Sequence, residues 1–392
     1  MVNNWQLLET INVTALRRAA VLGVFWSMVT VLYAADPVVV SVSVDQENIK
    51  EYSDSCTGVI EFNIQDEDDD SLIVSIQISA DGGATWMVPF QSDFFLTLAP
   101  GIHTIPFAVR GGHGDNCIAR ITAWDRLERS GRARKIPAGG HVFLMGSANG
   151  NGNEQPVHET AFTHDFWMDT TEITANQFLQ FKTDWVPQYL GQFYYKDNHP
   201  VDNCFYHWAI QYCNWRSIGD GLVPCYSNLP EPTDNYREYL DVVCDPSKNG
   251  WRLPSEAEWE YVCRAGSTTR YFFGNDSSIL GEYAWYLGTA DDTIHGVAEK
   301  KPNRFGLYDL YGSMLEITQD WYDSSYYESA PFFDPAGPLT YPDNEMSHDP
   351  YRVQRGGFFR SREKDVTSSR RIPNFSSARH PQAFRCVRTV LK

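Results

Sequence analysis

The sequence has few basic residues and none of the short motifs that identify common enzyme classes. It contains 32 Lys and Arg against 50 Asp and Glu, so the formal net charge is -18 at pH 7 and the isoelectric point is near 4.9. Nucleic acids and anionic membrane surfaces attract clustered positive charge, and this balance argues against both as partners. There is also no Gly-x-Ser-x-Gly turn, phosphate-binding loop or dinucleotide fingerprint.

Long apolar runs are scarce as well. Arg17 and Arg18 precede the apolar stretch 19–32, and the small residues Ala34 and Ala35 follow it. This order is typical of a secretory signal peptide, and the stretch is too short to span a bilayer comfortably. We therefore predict a signal peptide at residues 1–35 and an exported protein, secreted or in the cell envelope, which touches the membrane only if this segment stays uncleaved.

Eight cysteines are present, and in an exported chain they favour disulfides over metal or redox chemistry. An oxidising compartment lets disulfides form and persist. Cys56 and Cys117 are the only two in the N-terminal region, so we expect them to pair with each other. Cys225 and Cys244 flank a polar excursion that a disulfide would close.

Short strand patterns fill the chain after the signal segment. Residues 38–44 and 72–78 alternate or run in β-branched residues, and the Asp-Gly-Gly turn at 81–83 follows the second run. Six or seven such strands in roughly ninety residues predict a β-sandwich of immunoglobulin or fibronectin type at residues 36–126. The acidic run 66–70 within it is interpreted as a solvated turn, because no glycine-defined calcium loop accompanies it.

A basic segment follows the predicted sandwich. Residues 126–135 contain five Arg or Lys, which is typical of an exposed linker, so we place a linker at 127–137 and a second domain at 138–392. In that domain residues 140–145 predict a strand and residues 175–183 a helix. The rest is irregular and aromatic, and buried rings are expected to stabilise it.

The strongest helix signal lies in residues 249–264. Pro254 ends an extended segment, Ser255 can cap a helix through its hydroxyl, and Glu258 can accept a bond from the Ser255 amide, which closes a capping box. The early acidic residues and the late Arg264 match the helix dipole. We therefore predict that a helix starts here.

The run Arg252-Leu-Pro-Ser-Glu-Ala-Glu-Trp-Glu-Tyr261 resembles the most recognisable motif of the formylglycine-generating enzyme family, the sulfatase-modifying-factor fold. Together with further motifs in the family's order, the resemblance covers residues 138–390. It implies an α+β protein whose C-terminal domain is related to C-type lectins and poor in regular secondary structure. The further motifs are Phe143-Leu-Met-Gly146, Phe166-Trp-Met-Asp-Thr-Thr-Glu-Ile-Thr174, His199-Pro-Val201, Tyr212-Cys-Asn-Trp215, Phe305-Gly-Leu-Tyr-Asp309, Arg355-Gly-Gly357 and Phe384-Arg-Cys386.

The resemblance implies a copper site that this sequence does not carry. Family enzymes oxidise a cysteine of a target sulfatase with oxygen, at a copper ion held by two cysteines beyond an Arg-Gly-Gly turn. Aligned without gaps from Gly356 and Gly357, those two positions hold Ser361 and Val366. Neither side chain replaces the thiolate that Cu(I) needs, so we expect no copper and a non-catalytic protein. The alternative is a formylglycine-generating type oxidoreductase with a relocated site.

The resemblance also implies a calcium site. Family members commonly hold calcium at a Gly-Asn-Val-Trp-Glu turn, which here reads Gly312-Ser-Met-Leu-Glu316. Structural calcium at Ser313 and Glu316 is therefore one expectation. The other is a buried Glu316 bonded to backbone amides.

By the same resemblance, Cys263 at the end of the predicted helix pairs with Cys386 in the final strand. This assignment leaves Cys204 and Cys213, which lie nine residues apart. The spacing leaves their state open.

A basic and aromatic segment remains where the copper site is expected. Arg and aromatic residues anchor many protein interfaces, and loops on a rigid scaffold often carry recognition. Variable proteins of diversity-generating retroelements bind targets with this stretch of the same fold, and gliding-motility lipoproteins reuse the fold structurally. The predicted surface, for a protein or cell-surface ligand, consists of Phe358, Phe359, Arg360, Arg362, Lys364, Arg371, Asn374 and Phe375. Two alternatives stay open: arginines paired with the domain's own carboxylates, and a purely structural envelope module.

Overall fold

The computed structural model of the protein describes residues 38–391 with internal gaps, and the chain forms two compact units, Met1–Glu128 and Arg129–Lys392. The gaps are 45–49, 52–54, 66–71, 80–94, 111–117, 125–128, 131, 187–195, 197, 232–234, 342–350 and 376–380. The predicted signal peptide, the acidic run and Cys117 lie outside the described residues, as does the side chain of Cys56. In the part that is described, no helix is both long and apolar enough to cross a membrane.

The described part of the first unit consists of strands. They are β1 (Val38–Val44), β2 (Lys50–Glu51), β3 (Ser55–Gln65), β4 (Leu72–Ser79), β5 (Phe95–Leu98), β6 (Gly101–Arg110) and β7 (Ile118–Trp124). β3 pairs with β1, β2 and β6 in one antiparallel sheet, and β4 pairs with β5 and β7 in another. Their arrangement as an immunoglobulin or fibronectin type β-sandwich stays a prediction.

Alternation of side chains explains the core of this unit. Successive residues of a strand point to opposite faces, so every second residue of β3 and β4 can be buried together. The fully buried residues of these two strands are Ile60, Phe62, Ile64, Val74, Ile76 and Ile78. Glu61, which lies between two of them, is exposed.

The second unit is a mixed α+β structure with few helices and many short strands, as predicted. Its described helices are α1 (Ala175–Leu179), α2 (Tyr206–Gly219) and α3 (Glu256–Arg264). Its described strands are β8 (Arg129–Ser130), β9 (Ala133–Ile136), β10 (Val142–Met145), β11 (His158–Ala161), β12 (Phe166–Asp169), β13 (Tyr226–Ser227), β14 (Val243–Cys244), β15 (Leu315–Trp321), β16 (Tyr351–Arg355), β17 (Ile372–Phe375), β18 (Gln382–Ala383) and β19 (Val387–Thr389).

Two four-stranded sheets organise this unit, with strand orders β19-β12-β9-β8 and β17-β16-β15-β18. β10 pairs with β11 and β13 with β14 as separate two-stranded sheets. β15 and β18 run parallel, and the other paired strands are antiparallel. β16 lies between β17 and β15, so the Arg355-Gly-Gly turn begins where a central and mostly buried strand ends.

The basic segment predicted as a linker is instead part of the second unit. Arg129–Ser130 form β8 and Ala133–Ile136 form β9, and Ile136 pairs with Phe166 of β12. Ala133 and Ile136 are buried, while Arg134 and Lys135 between them are partly exposed. Charge density alone suggested a linker, but the two apolar side chains anchor this strand.

Helix α3 confirms the predicted capping box. The Glu258 amide donates to Ser255 Oγ at 3.1 Å, and the Ser255 amide donates to Glu258 Oε2 at 2.8 Å. Both guanidinium nitrogens Nη1 and Nη2 of Arg252 donate to the same Glu258 carboxylate at 2.7 Å. All nine residues of α3 are buried, so its acidic residues are core groups and not only partners of the helix dipole.

Helix α1 begins after Thr174 as expected but ends at Leu179, four residues before the predicted end. The Phe181 amide donates to the Phe178 carbonyl, which tightens the turn. The Phe181 ring then packs against Phe178 and Tyr212, with ring centroids 5.7 and 5.8 Å apart. Aromatic packing therefore competes with continuation of the helix.

We expect Ser255→Ala to lower the free energy of unfolding by about 1–2 kcal/mol, because the Glu258 amide at the buried start of α3 loses its acceptor. Urea denaturation followed by tryptophan fluorescence measures this change. Ser324→Ala, at an exposed serine, is the matched control and should change stability by less than about 0.5 kcal/mol. Equal stability of the two variants would contradict the capping role.

Candidate functional site

The Arg355-Gly-Gly turn follows β16 and is shaped by two glycines with positive φ. Gly356 has φ 86° and Gly357 has φ 79°, a region that L side chains rarely adopt. A Cβ on Gly357 would lie 2.6 Å from Val366 Cγ1 and 3.2 Å from the Asp365 carbonyl oxygen. The turn therefore requires glycine and brings the chain close to Val366.

Ser361 and Val366, the two positions predicted for the copper ligands, meet at this turn. A Cβ on Gly357 would lie 3.3 Å from Ser361 Oγ as well as 2.6 Å from Val366 Cγ1. Ser361 Oγ accepts a hydrogen bond from the Phe358 amide at 3.0 Å, and Val366 is fully buried. The site presents one hydroxyl and one isopropyl group, and these residues do not fit copper, which prefers soft thiolate ligands.

Buried ion pairs hold the turn against helix α3. Arg371 donates from Nε and Nη2 to the two carboxylate oxygens of Glu256 at 2.7 and 2.9 Å, and Arg355 Nη1 donates to Glu256 Oε1 at 3.2 Å. Arg355 Nη2 also donates to Glu260, which takes a second bond from Arg264 Nε at 2.8 Å. Both Arg355 and Arg371 are almost fully buried, so each charge depends on its partners.

The same network reaches the loop after β10. The Gly146 amide donates to Glu260 Oε1 at 2.8 Å, and Arg264 Nη2 donates to the Gly146 carbonyl at 2.7 Å. Burial by itself raises the pKa of Glu260, but Arg264 and Arg355 outweigh it and leave the pKa below its usual value. Glu260 is thus a carboxylate that three separate segments of the chain share.

The pKa of Asp320, a buried carboxyl in the same region, is shifted in the direction opposite to that of Glu260. It accepts a bond from the Glu256 amide at 2.7 Å, at the first turn of α3. Burial, and next the nearby Glu256 charge, raise the pKa of Asp320 to about 8. The carboxyl therefore changes charge close to neutral pH while it is buried.

The residues predicted to hold calcium make other contacts. Arg385 donates from Nε and Nη2 to the two oxygens of Glu316, both at 2.6 Å, and Trp259 Nε1 donates to Glu316 at 3.0 Å. Ser313 Oγ donates to Glu172 at 3.2 Å. Ser313 and Glu316 as they stand do not fit a calcium ion, and calcium stays a prediction that these bonds do not favour. Among the described residues no group of three His, Cys, Asp or Glu side chains is placed to hold a metal.

The structure changes the expected cysteine pairs. Cys386 Sγ lies 3.6 Å from Cys213 Sγ, whereas Cys263 contacts Tyr311 and Ser368, so the pairing of Cys263 with Cys386 is corrected. All three thiols are free and fully buried in the structure. Cys386 lies directly before the final strand β19 and not within it, and the packing of α2 places Cys213 beside it.

The predicted bridge between Cys225 and Cys244 is not formed either. Both thiols are free, and Cys225 Sγ donates to the Gly250 carbonyl at 3.2 Å. Tyr226, and not Cys225, is the strand partner of Cys244. Cys225 lies directly before β13, so the two cysteines are not opposite each other in this strand pair.

The predicted binding surface divides into buried and exposed residues. Phe359 and Arg371 are buried, and Arg371 is the partner of Glu256, so these two are corrected to core residues. Arg360 is exposed and pairs with Asp292, with Nη2 and Oδ2 2.9 Å apart. Arg362 and Lys364 are exposed and Phe358 is half-buried. The side chains of Asn374 and Phe375 lie outside the described residues.

Sequence reasoning missed two features of this region. Leu287, 59% exposed, donates from its amide to the Ser361 carbonyl at 3.0 Å and so extends the exposed surface beside the turn. The buried Arg355 and Arg371 pairs were also missed. The spacing of Glu256 and Glu260 could have predicted these pairs, because residues four apart lie on the same face of a helix and can bind neighbouring arginines.

A protein-family model covers almost all of this unit. The family model of the Sulfatase-modifying factor enzyme 1-like domain matches residues 128–390. The formylglycine-generating enzyme of Streptomyces coelicolor is 32% identical over 301 residues, covering 64% of this chain and 88% of that protein. The chaperone protein LppX of Paenibacillus barcinonensis is 29% identical over 204 residues, 46% of this chain and 71% of that protein.

A third relative is much longer than this chain. The serine/threonine-protein kinase Pkn1 of Chlamydia pneumoniae is 29% identical over 261 residues, which cover 64% of this chain but only 37% of the kinase. Among solved structures, Treponema denticola variable protein 1 has a TM-score of 0.58 at 24% identity, with 66% of this chain and 95% of that chain covered. PvdO from Pseudomonas aeruginosa has a TM-score of 0.50 at 21% identity, with 66% and 94% covered. At these identities the two structures show the fold alone.

We expect Asp320→Asn to flatten the pH dependence of stability between about pH 5 and pH 8. In the wild type the pKa of about 8 lies above the value near 4 of an unfolded Asp, so the unfolded chain releases this proton at a lower pH than the folded protein does. The stability from the bound proton is fully present below about pH 4 and is lost as pH rises from there through about 8. The loss from this group is at most about 1.4 kcal/mol per pH unit. Urea denaturation at a series of pH values measures it.

The matched control is Asp276→Asn, at an exposed aspartate whose pKa is lowered by the Ser278 amide and hydroxyl. It should keep the wild-type slope over the same pH range. A wild-type slope in Asp320→Asn would show that another group titrates there.

Proposed function

Since the chain belongs to the family of sulfatase-modifying factor enzyme 1-like domains, we propose that it uses the family scaffold for binding or cell-surface assembly and not for catalysis. The relatives that match it include a formylglycine-generating enzyme, a chaperone and a kinase, so membership of the family leaves the activity open. We propose further that the protein is exported and acts on a protein or cell-surface ligand.

One observation carries this proposal. Ser361 and Val366 lie together at Gly357, where the resemblance expects the two copper ligands, yet they offer no sulfur. The turn itself is intact, because Arg355 and Arg371 are fixed by Glu256 and Glu260 of α3. The scaffold therefore does not need the copper ligands to keep its shape.

The rival proposal, an oxidase with a relocated site, needs another pair of accessible thiolates. Cys213 and Cys386 are close enough, with sulfurs 3.6 Å apart, but both are fully buried. Burial, and next the hydrogen bond with Cys386, raise the pKa of Cys213 well above its usual value. A buried, protonated thiol neither binds Cu(I) readily nor meets a peptide substrate, so this pair does not favour the rival.

The proposed binding surface is revised by the structure. It consists of the exposed or half-exposed residues beside the turn, Leu287, Phe358, Arg360, Arg362 and Lys364. Glu363, Asp365 and Asp292 lie among the basic residues, so charges of both signs are present. Mixed charge around exposed apolar groups suits a protein partner better than a polyanion.

The first test compares the wild type with Ser361→Cys/Val366→Cys. The wild type should fail to retain Cu(I) against a chelator and should form no formylglycine in an aerobic assay with copper and a Cys-x-Pro-x-Arg peptide. The double variant should gain Cu(I) binding, because both new thiols flank Gly357, and Ser361→Cys alone should bind at least about tenfold more weakly. Formylglycine made by the wild type and lost on chelation would overturn the non-catalytic proposal.

The second test concerns the surface. Arg360→Ala/Arg362→Ala/Lys364→Ala should reduce capture of a partner from cell-envelope extract at least about tenfold, because three exposed cations of one patch are removed. Lys248→Ala/Lys301→Ala/Arg304→Ala removes three cations elsewhere and should leave capture unchanged. Quantitative mass spectrometry of the captured proteins measures both. Equal capture by the two variants would favour a purely structural module.

A further inference from the structure

A cleft of about 680 Å³ opens in the second unit, and none of its lining residues belongs to the Gly357 turn. It lies beside the C-terminal end of α2 and the final strand β19. Its volume falls in the range of small-molecule sites. The residues that matter for its chemistry are Arg132, Trp215, Arg216, Asp220, Trp251 and Arg388.

Aromatic and guanidinium groups alternate along one side of this cleft. The Arg216 guanidinium carbon is 3.4 Å from the centre of the Trp251 ring. The Arg388 guanidinium carbon is 5.4 Å from the same ring and 5.2 Å from that of Trp167. β12 pairs Trp167 with Arg388 of β19, so the two sheet strands fix this order. Stacking of this kind holds a guanidinium in place while its edge stays available for hydrogen bonds.

Two of the three arginines that line the cleft share one buried carboxylate, that of Asp169. Arg216 Nη1 and Arg132 Nε donate to the Asp169 carboxylate at 2.7 and 3.3 Å. Arg132 Nη2 also donates to the Tyr212 hydroxyl at 2.9 Å. Burial by itself raises the pKa of Asp169, but Arg216 and Arg132 outweigh it and lower the pKa, so Asp169 stays ionised. These two arginines have their acceptors within the protein.

Arg388 differs from them. Its side chain has no hydrogen-bond acceptor among the described residues, and its Nε is buried without a partner. An unmet guanidinium donor that water does not reach is costly, and a bound oxyanion would satisfy it. The charge of Asp220 acts on Arg388, but Asp220 Oδ2 lies 3.7 Å from Arg216 Nε and already accepts a bond from Trp251 Nε1 at 2.7 Å.

The charge and the shape of the cleft together indicate which kind of ligand would pair with Arg388. Three guanidinium groups (Arg132, Arg216 and Arg388) face two carboxylates (Asp169 and Asp220), which leaves one positive charge in a protein of net charge -18. Trp215, 40% exposed, supplies a flat apolar wall in the same cleft. A planar guanidinium binds a carboxylate with two parallel hydrogen bonds, and an exposed indole face binds a flat apolar group.

We propose that this cleft binds a small carboxylic acid with a flat apolar body. The carboxylate accepts hydrogen bonds from Arg388, and the body lies on Trp215. The site uses residues that the Gly357 surface does not use, so it is independent of the function proposed above and goes beyond it. The proposed ligand is a small molecule, and it must carry a negative charge because Arg388 lacks an anionic hydrogen-bond partner among the described residues.

The test uses three probes on the full chain: phenylacetate, its neutral amide phenylacetamide, and acetate. Saturation-transfer NMR titration gives their affinities. Phenylacetate should bind at least about tenfold more tightly than either of the others, because only it engages both Arg388 and Trp215. Equal affinity for phenylacetate and phenylacetamide, or no saturable binding of phenylacetate, would overturn the proposal.

Two substitutions assign the contacts. Arg388→Gln should lower the affinity for phenylacetate to that for phenylacetamide, and Trp215→Ala should weaken both phenyl compounds. Arg304→Gln removes an exposed arginine outside both the cleft and the Gly357 surface and should leave phenylacetate binding unchanged. Thermal unfolding confirms that each variant is folded, and Arg388→Lys keeps the charge should the glutamine variant fail to fold. Unchanged binding in a folded Arg388→Gln protein would reject the role of this residue, whereas the copper and capture tests above would be unaffected.

Discussion

The second unit depends on a group of buried guanidinium–carboxylate pairs between α3 and the segment that follows β16. Glu256 and Glu260 of the helix fix Arg355 and Arg371, two side chains that are almost fully buried. Charges in such a place are costly unless they are paired and hydrogen-bonded, and removing one partner costs far more than an exposed pair contributes. Because the pairs join segments about a hundred residues apart in sequence, they set the position of the Gly357 turn.

Because these ion pairs hold the turn, the scaffold can keep its fold without the copper ligands that the family resemblance implies. The side chains of Ser361 and Val366 lie beside Gly357 but take no part in the ion pairs. Other side chains at these two positions are therefore compatible with the same turn. The proposed binding function and the family fold are compatible for this reason. The same argument separates the core residues Phe359 and Arg371 from the exposed Arg360, Arg362 and Lys364 in one short segment.

Arginine has two roles in this acidic protein, and the contrast is clearest between the ion-pair network and the cleft. Arg355, Arg371 and Arg385 have carboxylate partners inside the fold, so they stabilise it. Arg388 lies over two tryptophan rings and has no such acceptor among the described residues. A guanidinium over aromatic rings and without an acceptor suits the carboxylate that we propose for the cleft, whereas a paired guanidinium stabilises the fold.

The sequence by itself determined the family, the capped start of α3 and the absence of sulfur at positions 361 and 366, because these follow from local residue order. Only the tertiary structure decided which thiol faces Cys386, that residues 129–130 and 133–136 are strands, and which arginines are buried. The physical reason is that composition gives the types of groups in a segment, but direction and partner depend on contacts across the chain. The sequence of a basic and aromatic segment does not show whether its arginines are exposed to solvent or paired with two glutamates one turn apart on a helix.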